Sequence, residues 1–321
     1  MNVLPEIETA PSCDDLRSHY QSNFIEKKIN GVGDIQLRCI LQKQIHAADA
    51  LIILGGRTEF AEKYSELFFD LRNLDMALYS YDHRGQGMSE RILADYFKGH
   101  VDCFEDYVED LMLFMDKVVA AGKHRHLFVL CHSMGGAVTA RFQMKYPGML
   151  KGIVFSAPMF GINTSPLTPV LTERMAKVMI KMGRGERYIP GGGPNSWKIK
   201  FATNPLTSSK MRFQRNLRLM EERPELALGS PTFRWLHESL QAIGEIVADS
   251  TNSALNEIPM VLLQGERDRV VTAAAQRIFC ENVPSCSLHV IVGAKHELLM
   301  EEDTKRNQAL AIIIDFLRQH R

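Results

Sequence analysis

Ser133, Asp268 and His296 occur in the order and settings that acyl transfer requires. A serine hydroxyl is a poor nucleophile until an imidazole takes its proton. The imidazole works best when a carboxylate fixes its tautomer and stabilises its charged form. Ser133 lies in Leu127-Phe-Val-Leu-Cys-His-Ser-Met-Gly-Gly136, where an apolar strand pattern runs straight into a helical one. Such a corner holds its serine in a strained backbone conformation and tolerates only small residues two positions to either side. Gly135 supplies one of these, and Cys131 stands where the usual Gly-x-Ser-x-Gly pattern has its first glycine. Cysteine is small and commonly buried, so the corner is still feasible.

Asp268 follows the strand pattern ending in Val261-Leu-Leu-Gln-Gly265, and His296 follows the next one, Val290-Ile-Val292. Glu266 competes for the role of acid, with Asp268 favoured because it lies deeper in the loop. His132 is too close to Ser133 along the chain to be its base. His83 in Asp82-His-Arg-Gly85 reads as structural, and His124 and His126 read as solvated. The negative charge that develops on the substrate carbonyl needs two backbone donors. One is expected from Met134, just after the nucleophile. The other is expected from the loop Gly55-Gly-Arg-Thr-Glu59, with Arg57 N–H the candidate and an adjacent residue the alternative.

The elements that position these groups alternate. Strand patterns at 35–41, 50–54, 76–81, 127–130, 153–155, 260–263 and 288–292 are interleaved with helical periods at 62–74, 104–119, 134–145, 273–279 and 305–318. This is the pattern of a mostly parallel sheet covered by helices. After Pro158 the alternation stops for about 100 residues, broken by Pro166, Pro169, Pro190, Gly191, Gly192, Gly193, Pro194 and Pro205, and it resumes at Pro259. The expected organisation is therefore a first core segment (1–158), a cap or lid inserted at 159–257, and a second core segment (258–321) carrying acid and histidine.

These motifs together resemble the α/β-hydrolase branch that holds monoacylglycerol lipases and bacterial PldB-type lysophospholipases. The likeness to the latter is carried by Tyr81-Asp-His-Arg-Gly-Gln-Gly-Met-Ser89, Gly99-His-Val-Asp102, Cys131-His-Ser-Met-Gly-Gly136, Ala157-Pro-Met-Phe-Gly161 and Gly229-Ser-Pro-Thr-Phe-Arg-Trp-Leu-His237. Monoacylglycerol lipases carry His-Gly at the oxyanion loop, where this chain has Gly55-Gly56. The resemblance implies an α/β-hydrolase fold with a helical cap. It also implies hydrolysis of a lysophospholipid to a fatty acid and a glycerophosphodiester, without metal or organic cofactor. Monoacylglycerol or general carboxyl ester hydrolysis is the neighbouring reading. A catalytically silent binding protein is the more distant one, and a complete serine, acid and histidine argue against it.

The 321 residues are 45% hydrophobic and 24% charged, as in an ordinary globular protein, and 38 cations balance 38 carboxylates. That neutrality is uneven. Between Phe160 and Met220 eleven Lys and Arg face only Glu173 and Glu186, a net charge of +9 that the rest of the chain offsets. Within it Leu171, Met175, Val178, Met179 and Met182 share a helical face flanked by Arg174, Lys177 and Lys181. A basic amphipathic helix of this kind suits an anionic membrane surface. No nucleic-acid reading motif accompanies the cations. Six scattered cysteines read as free thiols, the N-terminus has no secretory signal, and no apolar run is long enough to span a bilayer. The expected location is cytoplasmic, peripheral on the inner face of the membrane.

Overall fold

A computed structural model describes residues 11–43 and 47–321. The absence of a secretory signal was read mainly from residues 1–10, which lie outside the described residues. Helix α1 (Cys13–Asn23) opens with a reciprocal cap, Ser12 Oγ accepting from Asp15 N–H and the Asp15 carboxylate accepting from Ser12 N–H, each at 3.1 Å. It leads into β1 (Phe24–Asn30), β2 (Gln36–Gln42) and β3 (Asp49–Leu54). The helical period at 62–74 folds as α2 (Ser65–Asp70) between two tighter turns, before β4 (Ala77–Tyr81). Next come α3 (Glu105–Phe114), prolonged by one wide turn to Val119, then β5 (His126–His132), α4 (Met134–Lys145) and β6 (Gly152–Ser156). Pro147 ends α4 where its ring forbids continuation.

The long segment that follows holds α5 (Pro169–Lys181), α6 (Lys210–Glu222), α7 (Phe233–Ala248) and the short α8 (Ser253–Asn256). Then β7 (Met260–Gly265), α9 (Ala273–Asn282), β8 (Cys286–Ile291) and α10 (Asp303–His320) complete the alternation. The eight strands form one sheet in the order β1-β2-β4-β3-β5-β6-β7-β8. The β1–β2 and β2–β4 pairs are antiparallel and all the others parallel.

Both faces of the central strands are covered, which is why residues 50–54 of β3 and 260–263 of β7 read as apolar runs. Along β5, Val129 and Cys131 face the layer that contains α3, α4 and α9, whereas Phe128 and Leu130 face α2 and α10. The α7 residues Trp235, Leu240, Ile243 and Ile246 belong to the same core as α4. Helix α5 lies outside, against α7. Its expected apolar face divides in two: Met175 and Met179 are half-buried, while Leu171, Val178 and Met182 are exposed, together with Val170.

The expectation that His124 and His126 are solvated needs correcting, and the cations of the inserted segment are not all solvated either. Arg212 is buried, with Nε and Nη2 donating to Glu66 at 2.9 and 2.6 Å and Nη2 also to Asp303 at 2.7 Å, and Arg215 shares Glu66. The high positive density of α6 is therefore partly the counter-charge of a core carboxylate. His124 and His126 are likewise not free. His124 lies 2.8 Å from both the Ala47 carbonyl and the Tyr79 hydroxyl, and His126 lies 3.0 Å from Asp49, because the loop before β5 folds back on the start of β3. All six cysteines are free thiols, with Cys280 and Cys286 in contact. Among the described residues no helix is long and apolar enough to cross a membrane.

Candidate active site

The end of β5 turns into α4 at Ser133, whose φ of 49° and ψ of −114° is a conformation that non-glycine residues rarely adopt. Close packing leaves the chain no other route. A β-carbon on Gly135 would lie 2.6 Å from the Gly55 carbonyl oxygen, and one on Gly136 would lie 2.6 Å from Pro158 Cβ. The turn is pinned to β6 by Ser133 N–H donating to Ser156 O at 3.2 Å, and Met159 N–H returns a bond to Ser133 O at 2.9 Å. Cys131 at the glycine position is fully buried, its thiol 3.4 Å from Val154 O on β6.

Loops at the carboxyl ends of β7 and β8 bring the other two groups to the serine. His296 Nε2 is 3.0 Å from Ser133 Oγ, and His296 Nδ1 is 2.7 Å from Asp268 Oδ2. The second Asp268 oxygen accepts from Val270 N–H at 2.8 Å and Val271 N–H at 3.2 Å. Burial by itself raises the pKa of Asp268. The hydrogen bond and charge of His296 and the two backbone donors outweigh it and hold the carboxyl below the ordinary aspartate value. Glu266, the competing acid, is exposed and accepts from Gly293 N–H instead. His132 packs on the His296 ring at 4.7 Å and bonds Ser156 O at 3.0 Å, and burial lowers its pKa despite the pull of Glu59.

The loop after β3 closes the site from the opposite side. Gly56 lies against Ser133, where a β-carbon would come within 2.9 Å of Ser133 Cβ. Glu59 accepts from Gly56 N–H, Gln86 Nε2 donates to Gly56 O at 2.7 Å, and His83 lies 3.1 Å from Gly55 O. Burial pushes the His83 pKa down to about 4, so it serves as a neutral strut. Both polar groups of the Gly56 backbone are occupied. Arg57 N–H has no protein acceptor among the described residues, and Met134 N–H, at the first position of α4, is free by helix geometry.

A cluster of buried charge supports this loop. Glu59 also accepts from Tyr64 Oη at 2.5 Å and Lys63 Nζ at 2.6 Å, and Lys63 reaches Glu297, the residue after His296, at 2.6 Å. Sequence reasoning passed over Glu59, Lys63, Glu297 and Gln86. Glu59 and Gln86 lay in motifs already singled out, but nothing in those motifs distinguishes a buried side chain from a solvated loop residue. The assembled site holds a serine hydroxyl bonded to an imidazole that a carboxylate orients, and the backbone N–H groups of Arg57 and Met134 have no protein acceptor among the described residues.

A sequence model of the family described as Serine aminopeptidase, S33 matches residues 45–303. The chain belongs to this S33 hydrolase family. Two relatives match it over nearly the whole chain. The chain is 37% identical to lysophospholipase L2 of Escherichia coli (strain K12), covering 99% of this chain and 93% of that protein. It is 32% identical to the probable lysophospholipase L2 of Haemophilus influenzae over 92% of each. Human monoglyceride lipase is 25% identical over 83% of this chain. Among solved structures, a soluble variant of monoglyceride lipase from Saccharomyces cerevisiae superposes with a TM-score of 0.72 over 93% of this chain, at 19% identity. The fold is therefore the α/β-hydrolase fold that the motifs implied.

Proposed function

We propose that this S33 hydrolase cleaves the acyl ester of lysophospholipids, releasing a fatty acid and a glycerophosphodiester. The observation that carries the reading is the continuous hydrogen-bonded chain Ser133–His296–Asp268 in a sequence 37% identical to a lysophospholipase over almost its full length. As Ser133 Oγ attacks the ester carbonyl, His296 Nε2 takes its proton, and Asp268 stabilises the imidazolium without itself being protonated. Arg57 N–H and Met134 N–H donate to the oxyanion. Collapse expels the glycerophosphodiester as an alcohol, with the His296 proton on its oxygen, and leaves an acyl-Ser133 ester. Water, deprotonated by the same imidazole, then attacks that ester, the fatty acid departs, and Ser133 regains its proton.

Segment 159–257 serves in this reading as the cap, with α5 the part that meets lipid. Val170, Leu171, Val178 and Met182 are each more than half exposed, and Arg174, Lys177, Lys181 and Arg184 stand exposed beside them. An apolar stripe flanked by cations supports peripheral binding to an anionic bilayer, the inner face of the cytoplasmic membrane being the expected one.

Monoacylglycerol hydrolysis is the second reading, favoured by the similarity to monoglyceride lipases at 24–25% identity. Incubation with lysophospholipids and monoacylglycerols of matched chain, with products identified by mass, separates the two. Faster release of fatty acid from the lysophospholipids is expected. Turnover confined to monoacylglycerols would sink the first reading, and no labelling of Ser133 by a fluorophosphonate would sink both.

A further inference from the structure

A cavity of about 190 Å³ lies beside the oxyanion loop, lined among others by Arg57, Thr58, Trp197, Asn216, Met220 and Glu297. It borders two segments of the site, since Arg57 belongs to that loop and Glu297 follows His296 in the chain. Three of its lining residues carry a buried polar atom that has no partner: Arg57 Nε, Trp197 Nε1 and Asn216 Oδ1. Buried polar atoms are paired in the great majority of cases, so three unpaired ones among the residues of one small cavity set it apart from the rest of the interior.

The charges around the cavity indicate its kind. Its cations are Arg57, Lys63 and Arg212, against the single carboxylate of Glu297. Lys63 is held by Glu59 and Glu297, and Arg212 by Glu66 and Asp303. Among the described residues Arg57 alone of the three has no carboxylate partner. Its Nη2 donates to the Gly229 carbonyl, its guanidinium lies over the Trp235 ring at 5.2 Å, and it fits because Gly99 has no side chain. Burial lowers its pKa to about 10, which leaves it charged at neutral pH. A guanidinium kept in such a place without a counter-charge is matched by a planar-fork acceptor such as a phosphate.

We infer that this cavity receives the phosphodiester of the substrate and that the Arg57 guanidinium is the group that selects it. The inference rests on the proposed lysophospholipase reading and deepens it. In a lysophospholipid the ester and the phosphate stand at opposite ends of a three-carbon glycerol unit. In Arg57 the backbone N–H and the guanidinium stand at opposite ends of a three-methylene stem. One residue therefore addresses both ends of the same molecule. A monoacylglycerol presents a hydroxyl in place of the phosphate and leaves the charge of Arg57 uncompensated.

The test compares kcat/KM for palmitoyl lysophosphatidylglycerol and monopalmitoylglycerol in the wild type and in R57M, R57Q and R57K. The lysophospholipid-to-monoacylglycerol ratio is expected to fall about tenfold or more in R57M and R57Q, mainly through KM, and to be partly kept in R57K, which retains the charge. Glycerophosphoglycerol is expected to inhibit the wild type more strongly than R57M, whereas inorganic phosphate is not. A ratio unchanged in R57M and R57Q would overturn the inference while leaving the lysophospholipase reading intact. A wild type inactive on the lysophospholipid would defeat that reading itself.

Discussion

Gly56 and Ser133 touch so closely that a single added β-carbon on the glycine would lie 2.9 Å from the β-carbon of the serine, and 3.2 Å from His132 Cδ2. Neither neighbour has room to retreat, because His132 packs on His296 and Ser133 is pinned to β6. Gly56→Ala should therefore displace the oxyanion loop and lower kcat by about 10²–10³, the usual cost of losing one oxyanion donor. Far-ultraviolet circular dichroism should stay unchanged. Full activity in a folded G56A protein would remove this loop from the mechanism.

Asp268→Asn keeps the size of the side chain but replaces an acceptor at His296 Nδ1 by an amide that can favour the wrong tautomer. A loss of about 10⁴ in kcat is expected. Glu266→Gln should leave kcat unchanged within error, because Glu266 faces Gly293 and solvent. Steady-state kinetics of the two variants side by side decide which carboxylate serves as the acid.

Helix α6 is joined to α2 through Glu66, which two of its arginines grip at 2.5–2.9 Å. Burial opposes ionisation, but the Arg212 hydrogen bond and the charges of Arg306, Arg215 and Arg212 bring the pKa of Glu66 from 4.5 down to about 2. A folded-state pKa below the unfolded value means that the stabilisation is fully present above pH 4.5 and is lost as pH falls toward 2. Urea denaturation of the wild type should show a decline of order 3 kcal/mol across that window. In Glu66→Gln the decline should be shallower, on a protein already destabilised at pH 7 by about 3–5 kcal/mol because buried guanidinium groups lose their partner. Parallel pH profiles for the two proteins would contradict this account.

Reversing Lys177 and Lys181 to Glu should weaken flotation with anionic vesicles, by about 1 kcal/mol or more for each cation lost near the surface. Val178→Asp with Met182→Asp should abolish binding to anionic and zwitterionic vesicles alike, since it removes the inserted apolar stripe. Equal binding of the wild type to both kinds of vesicle would defeat the electrostatic part of the proposal.

Much of the framework was readable before any coordinates because doubly covered parallel strands are apolar throughout. Residues 50–54, 153–155 and 260–263 could be nothing else, and α4 is bracketed by Ser133 and Pro147. The edge strand β1 was missed because only Phe24 and Ile29 of its seven residues are buried, so Glu26, Lys27 and Lys28 disguise it as surface. The cap of α1 was there to be found in Ser12 and Asp15. Glu59, Lys63 and Glu297 were unreadable for a different reason. Charged residues are taken as solvated unless partners are known, and here one partner lies 234 positions along the chain. Arg57 was noticed for its backbone alone, since nothing in Gly-Gly-Arg-Thr-Glu tells whether the guanidinium has a carboxylate beside it.

Buried Arg38 on β2 binds Glu26 of β1, Glu62 before α2 and Asp82 after β4, and Glu62 in turn holds Arg223 just beyond α6. With the grip of Arg212 and Arg215 on Glu66, both ends of α6 are fastened to the hydrolase core by ion pairs to buried carboxylates. Heating should therefore melt this half of the inserted segment and the sheet in one endotherm, not two. Whatever motion admits lipid must be sought in the stretch around α5, not at α6.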